Sequence, residues 1–266
     1  MDRREFLASS VTAGLGTMAH ADGQPGGGGE AAAEVYELRH YHLRVGPMVD
    51  RMHEYLKNVS IPAHGRAGVK TVGAFTPQFG PDSPSIFFLL AYPSIEDFMA
   101  LDSRLSADAE YKKAAESHAT LPASDPAYVR VDSQLMQAVP FMKRIEVPAA
   151  ASGNKPRVFE LRTYESHSKR ANRLKLDMFG TLGELAIFRR TGLAPVFFAN
   201  NLVGQRLPSL TYMLVFDDLA AREKNWGSFV GDPEWKTLSQ KPGYTDPEIV
   251  SNITSVILRP TAYSQI

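Results

Sequence analysis

One word, written twice, limits what this chain can become. Val35-Tyr-Glu-Leu-Arg-His-Tyr41 returns 123 residues later as Val158-Phe-Glu-Leu-Arg-Thr-Tyr164. At an offset of 124, Arg66-Ala-Gly68-Val69 falls on Arg190-Thr-Gly192-Leu193, and Ser85 to Tyr92 (SIFFLLAY) falls on Ser209 to Phe216 (SLTYMLVF). The same offset sets Asp108, Glu110, Tyr111 and Lys112 on Asp232, Glu234, Trp235 and Lys236. Chance matches scatter, so one offset held over four blocks identifies a duplicated structural unit.

Each unit reads as the same series of elements. Residues 35–42 alternate as a strand, and Gly46-Pro47 opens a helix, proline suiting the first helical position. Met48, Met52, Tyr55, Leu56 and Val59 recur at helical spacing. Strands follow at 69–79 and 86–92 around the turn Gly80-Pro-Asp-Ser-Pro84. Ser94 with Asp97 starts a helix to about residue 105, a shorter helix covers 107–118, and a strand at 128–139 closes the unit. The second unit repeats this with a strand at 157–164, a helix at 169–190, strands at 193–203 and 209–216, helices from Asp218 and Asp232, and a strand at 249–259. The order β-α-β-β-α-β is the ferredoxin-like split βαβ. Ile86 to Tyr92 is apolar on both faces, as expected of a central strand covered on both sides. Helices cover one face of such a sheet, and a tandem copy can cover the other. The expected fold is therefore α+β, two ferredoxin-like repeats closing into an α/β barrel within one chain. The first repeat spans 34–146, a linker rich in Pro, Ala and Gly spans 147–156, and the second repeat spans 157–266.

Residues 1–33 read as address and leader. Arg3-Arg4 with Phe6-Leu7 is followed by a mildly apolar run to Ala19 and the small-x-small end Ala19-His20-Ala21. The run falls short of the roughly 20 apolar residues a membrane span needs. It predicts a twin-arginine signal peptide over 1–21, the export machinery as a partner, and a periplasmic or other extracytoplasmic location. Residues 22–33, with the run Gly26–Gly29, form a flexible leader. The chain has no cysteine, which removes disulfides and thiolate chemistry. Its 29 Lys+Arg cancel 29 Asp+Glu, which argues against a nucleic-acid partner.

The Glu-Leu-Arg-x-Tyr strands, Arg190-Thr-Gly192, and the segment from Ala221-Arg-Glu-Lys-Asn-Trp226 through Asp232-Pro-Glu-Trp235 resemble the NIPSNAP family, a branch of the dimeric α/β-barrel superfamily. The resemblance spans residues 34–266, and the first repeat departs from it with Asp108-Ala-Glu-Tyr111. It implies an exported protein of uncharacterised activity whose barrel interior binds a small ligand or serves a protein interaction. The wider superfamily includes cofactor-free monooxygenases, isomerases, dehydratases and haem-handling enzymes, so the alternative is a monooxygenase- or isomerase-like enzyme.

Side chains alternate along a strand, so Glu37, Arg39 and Tyr41 share one face, as do Glu160, Arg162 and Tyr164. These six are expected to point into the barrel, with Tyr36, Leu38, Phe159 and Leu161 beneath the helices. There they form either two Glu–Arg pairs that fix strand register or a site with an anion-holding Arg, a general-base Glu and a Tyr donor. His40 and His42 lie two apart on a strand and are the candidate metal ligands, joined in principle by His53 or His64. No HExxH, or HxH with a carboxylate, completes a set, so no metal is expected. His118 or His167 would be the residue for a haem, and no cofactor is expected. No Gly-x-Gly-x-x-Gly, P-loop or Gly-x-Ser-x-Gly follows a strand. Trp226 and Trp235 read as packing residues. Homo-oligomers are compatible with all of this.

Overall fold

The computed structural model describes residues 32–80, 82–147 and 157–266. The signal peptide, all of the leader but its last two residues, and the linker after Val147 lie outside the described residues. Eight strands close an antiparallel barrel in the order β1-β3-β2-β8-β5-β7-β6-β4. The first repeat supplies β1 (Val35–His42), β2 (Thr71–Pro77), β3 (Ser85–Tyr92) and β4 (Arg130–Ala138). The second supplies β5 (Val158–Glu165), β6 (Ala194–Val203), β7 (Ser209–Phe216) and β8 (Asn252–Pro260). In each half the first and third strands are central, as the ferredoxin-like order requires. The halves are joined where β2 pairs β8 through Phe75 and Pro260, and where β4 pairs β6 through Ala138 and Ala199. Closure leaves the barrel with no free strand edge.

The helices are α1 (Pro47–Tyr55), α2 (Ile61–Arg66), α3 (Ile95–Ala107) and α4 (Ala109–Ala119), then α5 (Lys169–Phe179), α6 (Glu184–Arg190), α7 (Leu219–Gly231), α8 (Pro233–Leu238) and the short α9 (Asp246–Ile249). Two expected single helices are broken. A π turn at Leu56–Ser60 separates α1 from α2, and Gly183, at φ 89°, separates α5 from α6.

The repeated words have identical structural duties. Gly68 and Gly192 stand just past α2 and α6 at φ 97° and 87°, the left-handed positions that end a helix. Asp108 and Asp232 cap α4 and α8 by accepting a backbone N–H of the first turn. Arg66 then bridges Asp108 and Glu110, and Arg190 bridges Asp232 and Glu234. The family-like words on the helices thus clip helix to helix.

The expected facing of β1 and β5 is reversed. Tyr36, Leu38, Phe159 and Leu161 point into the barrel, where they meet Phe75, Leu89, Met136, Phe197, Met213 and Leu258. Ile266 reaches into the same cluster. Glu37, Arg39 and Tyr41, and their counterparts Glu160, Arg162 and Tyr164, lie on the outer face beneath the helices. Tyr41 packs with Met48, Met52 and Phe88, and Tyr164 with Phe179, Phe188 and Tyr212. The reason is energetic. A buried carboxylate needs donors. On the outer face Glu37 finds Arg39, Tyr92 and Ser133, while Glu160 finds Arg162, Ser255 and, from α7, Arg222 and Trp226. The inward face around Tyr36 and Phe159 is lined by apolar side chains. The interior is therefore packed apolar core along most of its length, and an interior ligand chamber is replaced by side chains.

Candidate functional site

Both halves keep a glutamate, an arginine and a serine at matching places. In the first, Arg39 Nε and Nη2 donate to the two Glu37 oxygens at 2.8 Å each. Ser133 Oγ on β4 and Tyr92 Oη on β3 complete the shell at 2.9 Å. Burial works to raise the Glu37 carboxyl, but these donors, Arg39 foremost, outweigh it and hold it below its usual range. In the second half Glu160 is fully buried and more heavily bonded. It accepts from Arg162 Nη1 at 2.8 Å, Arg222 Nη2 at 2.7 Å, Trp226 Nε1 at 2.8 Å and Ser255 Oγ at 2.6 Å. Burial again opposes ionisation, yet Arg222 and the rest bring Glu160 down to about 2. Neither carboxylate has a lone pair to spare for a proton in flight, so neither is the general base the sequence suggested. The pairs are buried supports: the first ties β1 to β3 and β4, and the second ties β5 to β8 and α7.

What surrounds the two pairs differs. In the first half a cleft of about 640 Å³ opens between the outer face of β1, α1, the end of α4 and the loop at 121–128. Glu37, Arg39, Tyr41 and Ser133 form its floor, with Met52, Tyr55, His118, Pro126 and Tyr128 as walls. Arg39 gives Nε and Nη2 to Glu37, and the Tyr41 hydroxyl lies beside the same guanidinium. His118 stacks on Tyr55 with ring centroids 3.7 Å apart, and its Nδ1 is buried with no hydrogen-bond partner. Burial, and then Arg51, lower its basicity, so the ring is neutral near pH 7.

The equivalent place in the second half is filled. Trp226 lies over the Arg162 guanidinium at 4.7 Å. Lys175, aligned with Met52, threads in with its Nζ 4.9 Å from the Phe179 ring centre and 5.7 Å from that of Trp235. Its charge meets Glu184, aligned with Ser60, at 3.2 Å. Arg222 and Trp226 align with Phe98 and Asp102, which cannot make these bonds. Trp226 is thus a packing residue as expected, with an additional hydrogen bond that composition could not show. A larger groove of about 820 Å³, lined by Gln78, Asp218, Arg259 and neighbours, lies along the seam where the halves meet. It gathers none of these buried groups.

The histidines separate. His53 bonds Tyr263 at 2.7 Å, and His64 is buried against Phe88 with Nδ1 on the Ser60 carbonyl. His167 is exposed. His40 and His42 face the barrel side, not the helix side, with ring centroids 4.0 Å apart and the rings tilted by 48°. Asp132, directly across from His40 on β4, accepts from His42 Nε2 at 2.8 Å. Burial, with His42 adding to it, takes His40 down to about 4. His53 and His64 therefore do not join the pair, and the carboxylate that the sequence lacked nearby arrives by strand pairing.

Solved structures of the same architecture include a candidate monooxygenase from Fusobacterium nucleatum subsp. nucleatum, 8% identical, covering 87% of this chain and 94% of its own at a TM-score of 0.57. A second candidate monooxygenase, from Lactobacillus acidophilus, is 8% identical and covers 86% and 94% at 0.54. An uncharacterised NIPSNAP-like domain protein from Burkholderia xenovorans is 20% identical and covers 41% of this chain and 90% of its own, with a TM-score of 0.37. No curated protein matches the sequence. At such identities the first two likenesses speak for the fold. The NIPSNAP family profile matches twice, at residues 36–143 and 159–265, once for each half of the barrel. The chain belongs to the NIPSNAP family.

Proposed function

We propose that this protein is an exported binder of a small planar molecule carrying an acidic oxygen, held in the cleft of the first repeat. The observation behind this is the broken symmetry. One fold position occurs twice, and it is plugged by Trp226 and Lys175 in the second half while it is open over Arg39 in the first. Tyr55 and Tyr128 offer ring faces, and Arg39 offers a guanidinium edge to a carboxylate, phenolate or enolate oxygen. The cleft volume suits a ligand of one to three rings.

A second reading rests on His118. A neutral imidazole in the wall of an aromatic cleft can take a proton from a carbon acid or phenol. The electron pair would settle on the oxygen beside Arg39, the first step of an isomerase or a cofactor-free oxygenase. Binding is the primary reading, and turnover is its extension.

The test is calorimetric titration with 1-hydroxy-2-naphthoate as the probe. Wild type is expected to bind one equivalent. Ala127→Trp, which fills the cleft from its rim, should weaken binding at least about tenfold. Equal affinity in both proteins would remove the cleft as the site. Export is tested separately: Arg3→Lys/Arg4→Lys should leave the precursor uncleaved in the cytoplasm, and normal processing would remove the twin-arginine assignment.

A further inference from the structure

A second cluster lies on the opposite face of β1 and is independent of the cleft. His40 and His42 alternate with Leu38 on the barrel side, at the end where β1 leaves the sheet and β3 enters it. The β1–β4 register sets Asp132 opposite His40. Each of the three offers one ligand atom, and these atoms lie within 4.8 Å of one another. We infer that His40, His42 and Asp132 form a site for a divalent first-row transition ion, with two imidazoles and one carboxylate on one side of the ion and its remaining positions open.

Three observations carry this. The first is the donor set. Two imidazoles with one carboxylate suit zinc, cobalt, nickel or iron(II) rather than calcium or magnesium. The second is the outer shell. Ser85 Oγ holds His40 Nε2 at 2.9 Å, Phe87 stacks on the His40 ring at 3.9 Å, and Asp82 lies 3.9 Å from His42 Nδ1. A second carboxylate behind a ligating imidazole orients the ring and raises its donor strength. The third is the other half of the barrel. The aligned residues there are Thr163, Glu165 and Thr254, with Thr163 bonded to Thr211 at 3.0 Å and Glu165 to Asn252 at 2.9 Å. Plain side chains satisfy that corner of the fold, so the barrel itself has no need of paired histidines.

Two adjustments go with binding. Ligands about 2.1 Å from one ion sit roughly 3.3 Å apart, so the cluster closes by up to about 1.5 Å. Asp132 has that freedom, its side chain being 42% exposed. Arg130 Nη2, 3.1 Å from His42 Nδ1, contributes an opposing charge and must swing aside, and its side chain is 56% exposed.

The experiment uses the full chain without a histidine tag. Cobalt(II) is titrated by visible absorption, and zinc by competition with a chromophoric chelator. Wild type is expected to bind one ion at micromolar or tighter affinity. His40→Thr, which installs the residue the second half uses at this place, should weaken binding at least about tenfold, as should Asp132→Asn. Arg130→Ala should tighten it several-fold. Unchanged metal-free melting temperatures verify that the variants are folded. No stoichiometric binding by wild type, or equal affinity in His40→Thr, would overturn the inference. The naphthoate titration reads the other face of β1, so its outcome is independent of this one.

Discussion

The buried pair that plugs the second half gives a perturbation whose size can be worked out. Lys175 and Glu184 are each 1% exposed and 3.2 Å apart. The aligned first-half residues are Met52 and Ser60, so Lys175→Met and Glu184→Ser rewrite one half in the terms of the other. Burial raises Glu184 to about 7 even though Lys175 pulls it down. Lys175 is raised too, because Glu184 and Tyr164 outweigh its own desolvation. The site thus favours the cation with a protonated carboxyl. A carboxyl raised from 4.5 to about 7 stabilises the fold fully below pH 4.5 and loses that contribution as pH rises through 7. The difference of about 2.5 units amounts to about 3 kcal/mol. In Lys175→Met at pH 8, Glu184 has no counter-charge and keeps its proton where wild type gives it up. This adds about 1 kcal/mol to the loss seen in acid, for an expected cost of about 2–3 kcal/mol. At pH 5 Glu184 is neutral in both proteins, and what is lost is the ammonium's contact with the rings and with half-exposed Asp246 at 3.6 Å, about 1–2 kcal/mol. For a barrel of this size that means a melting temperature lower by about 7 °C at pH 8 and about 4 °C at pH 5. The double variant Lys175→Met/Glu184→Ser should return to within about 2 kcal/mol of wild type at both pH values, since an apolar replacement removes the desolvation cost along with the attraction. Calorimetric scans at the two pH values check this. Equal losses at pH 5 and 8, or a double variant no better than the single, would refute the reasoning.

Two further outcomes follow from the same geometry. Glu160→Gln leaves Arg162 and Arg222 against a neutral amide and should cost about 3–5 kcal/mol at pH 7 in urea unfolding. Because Glu160 is depressed from 4.5 to about 2, its contribution of roughly 3 kcal/mol is present above pH 4.5 and vanishes as pH falls through 2, so wild type and variant should converge in acid. Phe197→Ala, in the barrel interior against Tyr36, should cost about 3–5 kcal/mol, and a loss under 1 kcal/mol would mean the interior is not packed core.

The repeat, the element order and the closed barrel were legible because period-2 and period-3.6 patterns and a constant offset are local properties of the chain. Which face of β1 met the other sheet was not legible. Both faces of β1 and β3 are buried, so alternation names two faces without saying what covers each. The missing signal lay elsewhere, in Arg222 and Trp226, four apart on α7 and so on one side of that helix. Two polar donors turned toward a sheet require an acceptor on that sheet, and Glu160 is the one available. Asp132 could not be joined to His40 from sequence at all, since 92 positions separate them and only the β1–β4 register brings them together. His118 reads from sequence as a haem residue, whereas its place is in the wall of a cleft, stacked on Tyr55.

The two halves together separate architecture from function more sharply than either half alone. Two identical chains forming such a barrel would carry two identical clefts, and any residue needed by one would be present in both. Fusion removes that constraint. The Glu–Arg–Ser group survives in both halves, although only the first has an open space above it, so its presence follows from strand cross-linking and not from a ligand. The residues that differ are those whose exchange opens or closes the space: Met52 against Lys175, Ser60 against Glu184, Asp102 against Trp226. Tyr92 follows the same logic. It donates to Glu37 where the second half has Phe216, because without Arg222 and Trp226 the first carboxylate needs one more donor from its own sheet. An open cleft over a fully satisfied ion pair is thus a consequence of moving the donors from helix to strand. The helix side of the first repeat is then free to shape itself around something other than the fold.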